Sequence, residues 1–181
     1  LGQCYQAVFY IDGNDEHRWT LDNLGGSYRS LNQEIKNIKN VVYMQDNVVI
    51  INGVAFLATN GWWCYDFDPT LDLSQSLEWY RDRMNISESS AVAINSVAYN
   101  DAAYTMNSIN KLQTHKDVRA IVMITHTLPS PWLIEHDIDL VGSWRYNCMG
   151  NKHMQIALEE DTENKIRVWC FGHYHKSVDR Y

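Results

Sequence analysis

Short apolar runs alternate along the chain with polar, glycine-bearing breaks. Ala7-Val8-Phe9-Tyr10-Ile11 predicts a buried strand that ends at Asp12-Gly13-Asn14-Asp15-Glu16-His17. Ser27 is placed to cap a helix running to Lys39, with Leu31, Ile35 and Ile38 on one face. A short strand over 41–44 follows. Two apolar runs then flank Asn52-Gly53, the strongest hairpin signal in the chain. Residues 58–69 read as a loop dense in aromatics, which either form a substrate wall or fold back onto the core. Helical spacing of apolar positions predicts helices over 72–84 and 87–114. The continuous apolar run 120–125, a strand covered on both faces, ends at His126. Residues 151–160 predict a short helix, and 166–171 a last buried strand with Cys170 as a small core residue.

Composition narrows the class without deciding it. A chain of 181 residues that is 45% apolar suits one domain with a sizeable core. The formal charge is −7 and no basic stripe appears, so strong duplex nucleic-acid binding is not expected. No apolar stretch reaches the ~18 residues of a membrane span. Cys4, Cys64, Cys148 and Cys170 are widely spaced and form no Cys-x-x-Cys, which points to a reducing cytoplasm rather than a disulfide framework or a zinc ribbon. His115, His136 and His153 read as structural.

The candidate chemistry lies where strands stop. Three apolar runs end in Gly13-Asn14, in His126 and in Gly172-His173-Tyr174-His175. Open α/β sheets bind ligands outside the carboxyl ends of their strands. Side chains two apart on an extended segment share a side, so His173 and His175 are expected to aim at one point. Neutral imidazoles and an amide oxygen converging there suit a divalent metal.

Taken in order, these blocks resemble the calcineurin-like metallophosphoesterases. The family pattern runs Asp-x-His, Gly-Asp-x-x-Asp, Gly-Asn-His-Asp/Glu, a lone His after a strand, then Gly-His-x-His. Gly13-Asn14-Asp15-Glu16 looks like the third block and His126 like the fourth, while Gly172-His173-Tyr174-His175 matches the fifth without change. The resemblance implies an α/β fold, a two-sheet mixed β-sandwich flanked by helices in four layers, as one domain over 1–181 that is incomplete at both ends. It implies a phosphate mono- or diesterase with two divalent ions (Mn, Fe, Ni or Zn) sharing an activated hydroxide. Asn14, His126 and His173 would hold one ion, and His175 would help hold the other. The substrate would be a phosphorylated small molecule, a nucleotide or a phosphoprotein, with Trp62 and Trp63 as candidate binding aromatics and no membrane partner.

Two departures qualify that expectation. The first two blocks are absent and are expected upstream of Leu1, together with two βα units. Asp15 stands where the family carries a histidine, and His17, two residues on, is the candidate substitute imidazole. Asp15 and His17 are therefore the candidate catalytic residues. A catalytically impaired metal- or phosphate-binding member and a non-enzymatic binding domain are the alternatives.

Overall fold

The structure, a computed structural model, describes residues 4–178. Its elements run β1 (Val8–Tyr10), α1 (Leu24–Ile35), β2 (Val41–Tyr43), β3 (Asn47–Ile51), β4 (Val54–Ala58), α2 (Leu73–Met84), α3 (Glu88–Thr114), β5 (Ala120–Ile124), α4 (Ile156–Glu159) and β6 (Ile166–Cys170). The chain is α/β with two open sheets. β1 and β2 pair in parallel, and β3-β4-β5-β6 form a second sheet that is antiparallel only at the β3–β4 hairpin. Asn52 (φ 50°) and Gly53 (φ 81°) supply the two left-handed residues that a tight hairpin turn demands.

Alternation along the strands decides what is buried. Ala55 and Leu57 of β4 and Ile121 and Met123 of β5 face Ile109 and Leu112 of α3 in one apolar cluster. Each large side chain buried this way contributes about 1.5–3 kcal/mol. The N-terminal half of α3 sends Ile94 and Ala98 into a second cluster with Trp62, Trp63, Tyr65 and Tyr80. One long helix thus ties the sheet to the aromatic segment 58–69. On the opposite sheet face, Phe56 meets Phe9 of β1 with ring centroids 4.6 Å apart.

Three local expectations change. α1 starts at Leu24, because Asn23 accepts from the Gly26 N–H at 3.1 Å and acts as the cap in place of Ser27. It stops at Ile35, four residues before Lys39. Among the described residues β6 is an edge strand paired only with β5, so Val168 is 48% exposed and Cys170 is exposed rather than a core residue. Residues 152–155 form a 3-10 turn that precedes a four-residue α4. No helix among the described residues is long and apolar enough to cross a membrane.

Candidate metal centre

β4, β5 and β6 run parallel, so their carboxyl ends share one edge. Fully buried Asn60, just past β4, fastens the loops there. Its carbonyl accepts the His126 N–H at 2.8 Å, and its side-chain amide donates to the Asp12 carbonyl at 2.8 Å and to Asp12 Oδ2 at 3.0 Å. The Gly172 N–H donates to the His126 carbonyl at 2.9 Å. The loops after β1, β5 and β6 are therefore held side by side by hydrogen bonds.

Asn14, His126 and His173 meet at this edge. His126 Nε2 lies 2.9 Å from Asn14 Oδ1 and 3.0 Å from His173 Nδ1. His173 Nε2 lies 2.9 Å from the Cys148 carbonyl. A carbonyl only accepts, so Nε2 carries the proton and Nδ1 turns a lone pair toward His126. Burial pushes the His173 pKa down to about 4, helped by His126. Burial also lowers His126, against the opposing pull of Glu16, Asp12 and Asp15. Both rings are neutral at pH 7, as metal ligands must be.

The surroundings aim these atoms. A Cβ on Gly13 would fall 2.5 Å from His126 Cε1, so only glycine lets that ring lie across the loop. Glu16 accepts the Gly13 N–H at 2.8 Å and the Tyr10 hydroxyl at 3.1 Å, and Asp15 accepts from the Asn14 amide nitrogen at 3.3 Å, which leaves Asn14 Oδ1 facing His126. Trp63 stacks on the His173 ring at 5.3 Å and 19°.

This donor set fits one ion. Ligands about 2.0–2.2 Å from a divalent cation and at right angles to each other are separated by about 3 Å. The 2.9 and 3.0 Å spacings match that separation. His126 Nε2 faces two acceptors with at most one proton, whereas a cation takes lone pairs from all three groups.

The other expected residues divide. His175 is exposed and lines the same cleft of about 810 Å³, but it does not join His126 and His173 in a tight group of three donors among the described residues. The His173-x-His175 segment is not extended: both histidines are left-handed (φ 61° and 60°), and Tyr174 between them is buried on Asp137. Asp15 is exposed in the cleft. His17 is not in it. That ring is fully buried, with Nε2 2.5 Å from Asp12 Oδ2 and Nδ1 2.8 Å from Ser27 Oγ. Burial opposes ionisation of Asp12, yet the His17 hydrogen bond holds its carboxyl below the usual range. Asp12, His17 and Ser27 have the residue types of a charge-relay triad, but none of them lines the cleft. Trp62 is also buried, with Nε1 donating to the Tyr28 hydroxyl at 2.6 Å, so it is core rather than a substrate wall. Trp63, 1% exposed, reaches the cleft mainly as the backing of His173.

Several residues carried no sequence signal. Arg83 and Arg145 bring cationic side chains to the cleft from α2 and from an irregular segment, outside any motif. Asp101, mid-helix in α3, accepts the Gly61 and Trp62 N–H groups at 2.8 and 3.0 Å, and its pKa is pushed up to about 7 by burial and by Asp46. Comparison with protein-family models, with curated proteins and with solved structures returns no match.

Proposed function

We propose that the cleft is the metal centre of a phosphoesterase of the calcineurin-like metallophosphoesterase type, acting on a phosphate mono- or diester. The observation that carries this reading is the convergence of Asn14 Oδ1 and His173 Nδ1 on His126 Nε2 at 2.9 and 3.0 Å. Asn14, His126 and His173 would hold one divalent ion of the Mn, Fe, Ni or Zn group, and His175, which lines the same cleft, would help hold a second. A bound ion supplies Lewis-acid stabilisation of phosphoryl oxygens and acidifies water. The chain's own residues do the rest. The Cys148 carbonyl and Trp63 orient His173, Gly13 admits His126, and Arg83 and Arg145 offer forked donors to a phosphate. The contacts of α1 with β2, of Phe9 with Phe56, and of α3 with β4 support a helix–sheet–sheet–helix layering of the kind that reading calls for.

A second reading, metal or phosphate binding with little turnover, draws support from His17 and Asp15. The candidate replacement imidazole is locked in the core, and the group standing in the cleft is a carboxylate that repels phosphate. Hydrolysis of a generic aryl phosphate monoester and diester, with and without Mn²⁺, separates the two. The enzyme reading predicts Mn²⁺-dependent cleavage of at least one ester, lowered about 100-fold or more in His126→Ala. Metal binding with neither ester cleaved selects the second reading, and no metal binding overturns both.

A further inference from the structure

The structure assigns a second, independent metal site to Cys64, Asp66 and His153, and we propose that it takes a thiophilic divalent ion such as Zn²⁺. One donor atom from each of these residues lies within 4.8 Å of the other two. The residues come from the segment after β4 and from the 3-10 turn at 152–155, apart from the cleft described above. Asp66 Oδ1 and His153 Nε2 are both buried without a hydrogen-bond partner, 3.9 Å apart. Buried polar atoms left unpaired are costly, and an ion bound between these two would satisfy both.

The chemistry agrees with zinc. Thiolate, imidazole and carboxylate are its common ligands, at about 2.3 Å for sulfur and about 2.0–2.2 Å for nitrogen and oxygen. Tetrahedral nitrogen and oxygen ligands at those lengths stand about 3.4 Å apart. The 3.9 Å gap closes with small side-chain rotations. Burial lowers the His153 pKa, against the opposing pull of Asp66. Its ring is set by Tyr99, with centroids 4.5 Å apart. Cys64 is fully buried as a free thiol, its S–H directed at the Gly150 carbonyl 3.8 Å away. Tyr65, between two of the ligands, is held left-handed (φ 56°), a conformation that bulky residues adopt only under constraint. Binding breaks the Cys64 S–H bond, forms a sulfur–metal bond and releases one proton to solvent. Lys152 holds the other Asp66 oxygen at 2.8 Å, which steers Oδ1 toward the site but opposes a cation.

Co²⁺ titrated into the chelator-stripped chain tests this site separately from the cleft, whose donors are nitrogen and oxygen. A thiolate-to-cobalt charge-transfer band is expected, lost in Cys64→Ser and in His153→Asn and kept in His126→Ala. Lys152→Gln should tighten Co²⁺ binding about tenfold or less, by removing a nearby like charge. Circular dichroism of the metal-free Cys64→Ser chain, expected to match the parent, guards against misfolding, and His153→Asn provides a second test away from the core sulfur. No band in the parent chain, or a band that survives Cys64→Ser, overturns the proposal. Neither result bears on the cleft.

Discussion

Gly13 is the residue on which the cleft geometry is most exposed to test. Its virtual Cβ would overlap the His126 ring, and that ring is held by its backbone to Asn60, so the ring must rotate away. Gly13→Ala should weaken Mn²⁺ binding about 10–100-fold while leaving the far-UV spectrum intact; unchanged affinity would show that the ring position is not needed. Asp101 makes a pH prediction. Its folded pKa is raised to about 7, so the folded state holds a proton that the unfolded state has released. By linkage, the stability it contributes is full below about pH 4 and is lost as pH rises toward 7. Asp101→Asn cannot ionise, so urea melts should show the variant gaining on the parent across that window; parallel curves would count against it. At this scale the sequence was partly legible. Asn14, His126 and His173 could be picked out because each lies within three residues of the end of an apolar run. His17 could not be placed, because its fate depends on Asp12 and Ser27, which only the fold brings to its two ring nitrogens. Arg83 and Arg145 were invisible for the same reason: nothing local distinguishes a cleft arginine from a solvated one.

Among the elements, α3 does the most to join the parts. Its 27 residues span about 40 Å, and its buried face touches both apolar clusters. Ser87 caps it by accepting the Ser90 N–H at 3.1 Å. Ser87→Ala should cost about 1 kcal/mol in denaturant unfolding, with the m-value unchanged. A loss near zero would mean that tertiary packing alone fixes this end. The helices beginning near Asp72 and Ser87 and the Asn52-Gly53 turn were readable because helical periodicity and turn chemistry are local. The depth of β6 was not. An apolar run does not reveal how many neighbours a strand will have, and β6, with one among the described residues, leaves Val168 and Cys170 exposed. The aromatic segment 58–69 was ambiguous between wall and core; packing against α2 and α3 buries Trp62 and Tyr65, and Phe67 is buried in a separate cluster with Leu128, Ile134 and Tyr146.

For the whole molecule, the cleft is a junction where three strand ends are fastened through Asn60 and His126. A ligand that bridges Asn14, His126 and His173 cross-links those ends in the folded state only. At 100 times its dissociation constant it should add about 2.7 kcal/mol to stability. The α/β class and the order of the site blocks follow from alternation and punctuation along the sequence. The contact between β1 and β4 does not, because it is made by side chains such as Phe9 and Phe56 that are far apart in the chain. Whether the three donors bind an ion is measured directly by Mn²⁺ stoichiometry from equilibrium dialysis in the Cys64→Ser background, where the second site is silenced. The prediction is at least one Mn²⁺ per chain, with binding weakened about 100-fold or more by His126→Ala and by His173→Ala. Mn²⁺ binding that is absent, or that is indifferent to both substitutions, would contradict it.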